Sequence, residues 1–504
     1  MTATTPVRRP TPPAARTVPE LLTWRYGLHP DRVAVEVHGV AALTFAEWES
    51  GATAVARSLL RRGIRPGDRV GLLFGPGGWT EYAVAYCGVL RAGAVAVPLS
   101  DRLAAGQLDH ALTHCAAGAL LHGDEAPAPA PAGVPVWTVA ELRAERGDEV
   151  ELPTVHPTDL AQILYTSGTT GRPKGVGASH ANLTVGAPGH VRRLALAHSE
   201  RFLHAFAIGT NAGQTMLFNA LTAKPTALTL PRFTPLRFAR LIETAGVGTV
   251  FVVPSIAIEL LDSGALRDRD LSGVHLVGST AAALPPAVAA RLATALPEAT
   301  IVNYYTSTEA APAQTTMIYD PARRDAVGRP VGGQLMIADP DGAPLPAGAT
   351  GDVWLRAPHP RAYYRDEAAN RATFRDGWVR MGDVGRLDAD GYLYLTDRHQ
   401  DVIKSGAFKI SSLEVEAALH EHPGITGAAV VGVPHPVLGS AVAAVLVPRA
   451  GTAPDELSLA ALRGFLADRL ADYQLPSRVL LVDELPRNAG GKVLKRHLTS
   501  QFDN

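Results

Sequence analysis

Hydroxyls, glycines and one lysine crowd into Tyr165–Val176, YTSGTTGRPKGV, directly after the apolar run Leu160–Leu164. Apolar runs of this length read as buried strands, so the sequence predicts a loop leaving a strand end. Ser167, Thr169 and Thr170 can donate hydroxyl hydrogen bonds, Gly168 and Gly171 let backbone N–H groups approach an anion, and Lys174 adds a point charge. That combination suits phosphate. By composition alone the same stretch also reads as a linker. It is not a P-loop, because Pro173 precedes Lys174 and Gly175 follows it, where that motif needs glycine before and Ser or Thr after.

Four later positions carry the remaining chemistry: Thr308-Glu309 in NYYTSTEA, Asp383 in GWVRMGDVG, Arg398 in DRHQDVIKSG, and Lys492 in the glycine-rich PRNAGGKVLK. Taken singly, each reads as an ordinary surface or turn residue. Together with the loop they add carboxylates and cations, residue types that can bind a hard cation and phosphate.

The uninterrupted order Tyr-Thr-Ser-Gly-Thr-Thr-Gly-x-Pro-Lys-Gly resembles the signature of the adenylate-forming superfamily, which holds acyl-CoA synthetases, luciferases and peptide-synthetase adenylation domains. The resemblance runs from about Val18 to Leu498 and is nearest to stand-alone acyl-CoA ligases. It implies ATP and Mg²⁺ as cofactors and activation of a carboxylic acid as its acyl adenylate. By it, Thr166, Ser167, Gly168, Thr169, Thr170, Gly171 and Lys174 hold the phosphates, and Tyr305 stacks on adenine. Thr308 touches the α phosphate, Glu309 helps hold Mg²⁺, Asp383 accepts the ribose hydroxyls, and Arg398 reaches ribose or phosphate. Lys492 is the catalytic lysine of a closing lid, and Gln400 stands at the hinge, where Asp or Lys is usual. Thr306 stands where glycine is usual, which brings a side chain toward adenine or substrate, and Met381 replaces a threonine.

The same resemblance lines the acyl pocket with Thr210, Asn211, Gln214, Ser279, Thr280, Ala281 and Tyr304. The aspartate that holds an α-ammonium in peptide-synthetase domains has no counterpart in Thr210-Asn211-Ala212-Gly213, which disfavours an α-amino acid. The polar lining suits a small aryl or otherwise functionalised acid better than a fatty chain. The segment Ile403–Glu416 is closer to acyl-CoA ligases, which makes CoA the leading acceptor. A carrier protein or an amine is the alternative, and diazotisation with nitrite and an aryl amine is the remoter one.

Composition narrows the classes further. With 504 residues, 46% of them hydrophobic, the chain is globular. A net charge of −1 gives no reason to expect nucleic acid or an anionic membrane as partner. Two cysteines, Cys87 and Cys115, make no disulfide framework, and a cytoplasmic setting is the default expectation. His420 and His422 read as surface histidines rather than metal ligands. Tyr82–Leu99 is apolar but interrupted by Arg91 and Pro98, which suits a buried helix and strand rather than a membrane span.

Positioning these residues calls for an α/β fold. Residues 1–17 read as a disordered tail and 18–396 as a core of two doubly wound α/β units with a small β subdomain over about 327–395. Residues 397–504 read as a mobile α+β lid. Strands are predicted at Val70–Phe74, Ala94–Pro98, Thr226–Leu230, Thr249–Val253, Val274–Gly278 and Thr300–Tyr304. In the C-terminal part, Ser411 and Glu414 read as a capping box opening a helix, and a long helix is predicted around Leu457–Leu470.

Overall fold

The computed structural model describes residues 16–123, 133–166, 173–190, 192, 194–398, 401–405, 408–488 and 490–502. Ser167, Gly168, Thr169, Thr170, Gly171, Gln400 and the side chain of Arg398 therefore lie outside the described residues, as do residues 1–15 of the N-terminal stretch. Thr17 belongs to the fold rather than to a tail. Its hydroxyl accepts the Glu20 N–H and its own N–H donates to the Glu20 carboxylate, closing a capping box on the helix Val18–Leu28.

Two sheets form the larger part of the chain. The first runs in the order Ala362–Tyr363, Lys174–Ser179, Leu160–Thr166, Val95–Ser100, Arg69–Phe74, Ala117–His122, Val136–Thr138. Its middle strands pair in parallel, with a helix such as Trp79–Arg91 between successive strands, which is the doubly wound pattern the sequence predicts. The second sheet is parallel from Val33–Val37 through Thr226–Thr229, Arg201–His204, Val247–Val252 and Leu276–Ser279 to Thr300–Tyr305. It then continues antiparallel through Gln314–Ile318 and Ala326–Val331 into Leu393–Arg398, Trp378–Leu387, Thr350–Arg356 and Gln334–Ala338. The strands of the small β subdomain expected over about 327–395 continue this sheet. Likewise Val33–Val37, early in the chain, pairs on one side with the next strand, Ala41–Thr44, and on the other with the distant Thr226–Thr229 rather than joining Arg69–Phe74 in the first sheet. A local hydrophobic pattern identifies a strand but not its partner.

The main hydrophobic core lies between the sheets. The helix Trp79–Arg91 is buried at every position but Glu81, and Trp48 of the facing helix Phe45–Arg61 donates its indole N–H to the Ala83 carbonyl at 2.8 Å. Arg91 stays buried because Glu49 pairs with it at 2.7 Å and the Thr53 and Thr23 hydroxyls accept from it. No helix among the described residues is long and apolar enough to cross a membrane.

The C-terminal part has its own five-stranded sheet, built from the hairpin Ile403–Ser405 and Phe408–Ile410 with Gly439–Pro448, Ile425–His435 and Arg478–Leu481. Separate apolar clusters pack on its two faces. Ser411 caps the helix Ser412–Leu419 through the Glu414 N–H. The long helix expected around Leu457–Leu470 is shorter, Leu459–Leu466, with a separate 3₁₀ turn, Pro454–Leu457, before it.

Candidate active site

The strands Leu160–Thr166 and Lys174–Ser179 pair antiparallel with Thr166 opposite Lys174, so the glycine-rich stretch starts and finishes at adjacent points. Both ends are tied to the helix Ala105–Cys115. The Tyr165 hydroxyl donates to the Ala111 carbonyl at 3.0 Å and meets His114 Nδ1 at 2.8 Å, while His110 Nε2 reaches the Pro173 carbonyl at 3.2 Å. A phenol has one proton. With it on Ala111, His114 supplies the other as an Nδ1–H donor.

A cavity of about 1110 Å³ opens where the two sheets' larger assembly meets the C-terminal part. From the larger part it is lined by Ala281, Asn303, Tyr304, Tyr305, Thr306, Met381 and Asp383, and from the C-terminal part by Arg487, Asn488 and Lys492. Thr300–Tyr305 ends at this cavity, so alternation puts Asn303 and Tyr305 on one side of the strand, and the strand end adds Tyr304 to the lining. Asp383 is 4% exposed, lies opposite Arg398 in the pairing register, and accepts the Tyr305 hydroxyl at 2.5 Å. Asn303, which the sequence reading passed over, has a buried side-chain oxygen with no hydrogen-bond partner. Its place two residues before Tyr305, on the same side of a half-buried strand end, was the available signal.

Lys492 sits on a tight loop. Its N–H donates to the Asn488 side-chain oxygen at 2.9 Å and its carbonyl accepts the Asn488 N–H at 2.9 Å. Gly491 takes φ +81° and lies close enough to the larger part that an added Cβ would stand 3.3 Å from Val253 and 3.6 Å from Ser255. Glycine therefore serves both the backbone conformation and the close approach. Around the same junction Asp262 holds Arg291 at 2.6 Å and also Arg449 of the C-terminal part. Burial pushes His420 down to about 4, with the Arg487 charge adding to it, and raises Glu259 above the usual carboxylate range. His420 lines the cavity, so its expected place on the surface is corrected. His422 is half-buried with its ring edge-on to Phe465. Among the described residues no His, Cys, Asp or Glu cluster could hold a metal by itself.

Thr308 and Glu309 adjoin the cavity without lining it, and the structure connects them to residues that sequence reasoning missed. Arg361 is buried and donates from Nε to Asn182 at 2.9 Å and from Nη1 to the Thr308 carbonyl at 2.9 Å and the Asn211 side-chain oxygen at 3.5 Å. Desolvation pushes its pKa down to about 10, against the opposing pull of Tyr86 and Glu309. Two residues on, the Tyr363 hydroxyl donates to Glu309 at 2.9 Å and its ring lies 5.0 Å beneath Lys174 Nζ. Nothing in the local sequence marks these two. Their segment returns to the site only because Ala362–Tyr363 adds to the edge of the first sheet.

The expected acyl pocket is sorted by its hydrogen bonds. The Thr210 hydroxyl caps the helix Asn211–Thr222, accepting from Gly213 N–H and donating to the Ala207 carbonyl, and Gln214 is buried between the Tyr82 hydroxyl and the Ile208 carbonyl. The polar groups of both are taken up inside the fold. Asn211 keeps its amide donors turned from Arg361, since a guanidinium only donates and the oxygen must face it. Ser279 is fully buried with an unpartnered hydroxyl, and Thr280 is half-buried. Ala281 lines the cavity at φ +72°, a left-handed conformation that favours glycine. The Thr306 side chain lines the cavity too, its hydroxyl donating to the Ala313 carbonyl at 2.7 Å.

A family model described as AMP-binding enzyme matches residues 22–364, and one described as AMP-binding enzyme C-terminal domain matches residues 414–492. A feruloyl-CoA synthase from an Amycolatopsis species is 35% identical over 500 residues, covering 95% of this chain and 97% of that protein. An oxalate–CoA ligase of Arabidopsis thaliana is 30% identical, covering 94% and 96%. Among solved structures, o-succinylbenzoate CoA synthetase of Bacillus subtilis with ATP and magnesium ion superposes with a TM-score of 0.83 at 26% identity, covering 96% of this chain and 99% of that one.

Proposed function

The chain belongs to the AMP-binding enzyme family, an ATP-dependent, AMP-forming ligase, and on that premise we propose that it activates a small aryl or otherwise functionalised carboxylic acid and passes the acyl group to coenzyme A. The observation that carries this reading is the shared cavity, in which Tyr305, Asp383 and Asn303 meet Lys492 from the other side. The acid's carboxylate oxygen attacks the α phosphorus of ATP, the mixed anhydride of acyl group and AMP forms, and the bond from the α phosphorus to the bridging oxygen breaks as pyrophosphate leaves. The thiol sulfur of coenzyme A then attacks the acyl carbon, a thioester forms, and AMP leaves.

Each residue has a part. The orphaned Asn303 oxygen suits the exocyclic amine of adenine, and the buried Asp383 carboxylate suits the ribose hydroxyls. Thr166, Ser167, Gly168, Thr169, Thr170, Gly171 and Lys174 hold the phosphates, with Thr308 at the α phosphate and Arg398 at ribose or phosphate. Glu309 fits a divalent cation, because among the described residues only the Tyr363 hydroxyl bonds its carboxylate, leaving oxygen for a hard metal. Bound there, Mg²⁺ neutralises charge on the phosphates. Lys492 stabilises the negative charge that develops as the carboxylate attacks, in a site from which the C-terminal part excludes water. We place the lid boundary near residue 397 with Gln400 as its hinge. The relatives named above are a feruloyl-CoA synthase and an oxalate–CoA ligase, and of the residues expected around the acid Ala281 and Tyr304 line the cavity while Asn211, Ser279 and Thr280 do not.

Mass spectrometry of products from purified protein with ATP, Mg²⁺ and a panel of aryl and aliphatic acids, with and without coenzyme A, tests the proposal. A thioester that requires coenzyme A supports it. AMP esters without thioester replace coenzyme A with a carrier protein or an amine, and no AMP-linked acyl product from any acid turns the reading toward nitrite and an aryl amine.

A further inference from the structure

Tyr363 is held more firmly than a surface strand residue needs to be. Its two-residue strand pairs with Lys174–Ser179 in the register Ala362 with Gly177 and Tyr363 with Val176, and the next residue donates its N–H to the Gly175 carbonyl at 2.8 Å. Asn370 takes both backbone polar groups of Tyr363, accepting its N–H at 2.7 Å and donating to its carbonyl at 2.9 Å. The ring is fixed between Phe374, edge-on at 5.3 Å, and the Lys174 ammonium at 5.0 Å. The hydroxyl donates to Glu309 Oε1 at 2.9 Å, with the Thr373 side chain as its other polar neighbour. A phenol carries one proton, and here it is given to the carboxylate.

We propose that Tyr363 is a positioning residue for the nucleotide site: its hydroxyl fixes the Glu309 carboxylate so that the other oxygen faces a divalent cation, and its ring seats Lys174. The inference rests on the reading of Glu309 as the metal-binding carboxylate. A carboxylate on a flexible stem must lose rotamer freedom to bind a metal, and a neighbour that has already fixed it lowers that cost. The same extended segment does this twice over. Residues two apart on an extended chain share a side, and Arg361 holds the Thr308 carbonyl while Tyr363 holds the next residue's carboxylate.

The test is Mn²⁺ affinity, read by electron paramagnetic resonance on the full chain with a non-hydrolysable ATP analogue. Tyr363→Phe keeps the ring and removes only the hydroxyl, and Glu309→Gln calibrates loss of the metal-binding carboxylate. Tyr363→Phe is expected to weaken Mn²⁺ binding about tenfold, at the low end for partners of metal-binding groups. Its apparent Mg²⁺ requirement in turnover rises by a similar factor, and saturating Mg²⁺ restores kcat, which a general loss of folded protein would not allow. Tyr363→Leu additionally lowers affinity for the analogue through Lys174. Wild-type Mn²⁺ affinity in Tyr363→Phe, with Glu309→Gln impaired, overturns the inference alone. Wild-type affinity in Glu309→Gln overturns the metal assignment and the inference with it.

Discussion

His180 provides a direct measure of how the core responds to acid. Its ring is 1% exposed, and its Nδ1 accepts the Val18 N–H at 3.2 Å, so it must be the neutral Nε2–H tautomer. Burial lowers its pKa from 6.5 to about 4, only partly offset by Asp159 and Glu20. A histidine depressed in the folded state takes up its proton earlier when unfolded, so the stability it contributes is present above 6.5 and is lost as pH falls toward 4. The linkage integral for these two values loses about 2 kcal/mol between pH 7 and pH 5. His180→Asn retains an acceptor for the Val18 N–H but cannot titrate. Urea unfolding at pH 7 and pH 5 should show the variant losing about 2 kcal/mol less than wild type over that interval, whatever its stability at pH 7. Equal losses in the two proteins would refute the reasoning. His204, buried, accepting the Phe206 N–H and lowered to about 3 by desolvation, acts in the same direction and remains in both.

Other consequences can be checked in the same preparations. Lys492→Ala should slow acyl-adenylate formation roughly 10²–10³-fold while sparing thioester formation from supplied adenylate, and equal loss of both half-reactions would remove Lys492 from its role. Arg361→Met leaves the Thr308 carbonyl and the Asn182 side chain without their donor, at about 1–3 kcal/mol for each orphaned group. A lowered melting temperature together with slower adenylation is expected, and a variant unchanged in both would contradict the network. Arg449→Met removes one of two arginines on Asp262, so docking of the C-terminal part weakens by about 1 kcal/mol or less. Adenylation should fall severalfold with thioester formation from adenylate spared, and a uniform effect on both would argue that the ion pair does not set the position of that part.

What the sequence determined by itself is the set of local events. The strand before the glycine-rich stretch, the capped helix after Ser411, and the strand ending in Tyr304 and Tyr305 follow from short-range pattern, and the structure has each of them. Lys174, Glu309, Asp383 and Lys492 were singled out by the resemblance of their motifs, which needs no knowledge of pairing, and the structure brings Asp383 and Lys492 to one cavity. Tertiary structure decided the rest, because partner choice is a long-range matter. Only the fold brings Val33–Val37 beside Thr226–Thr229, extends the second sheet into the strands after Gln314, and returns residues 361–363 to the edge beside Lys174. That last pairing puts Arg361 and Tyr363 on Thr308 and Glu309, more than fifty residues away in sequence. Tertiary structure also sorts the polar side chains by what they already bond: Thr210 and Gln214 have the right types, but a helix cap and a core hydrogen bond take their polar groups, whereas the half-buried Asn303 keeps a side-chain oxygen with no hydrogen-bond partner. A side chain's type states what it can bond, and only its neighbours in space determine what remains for a ligand.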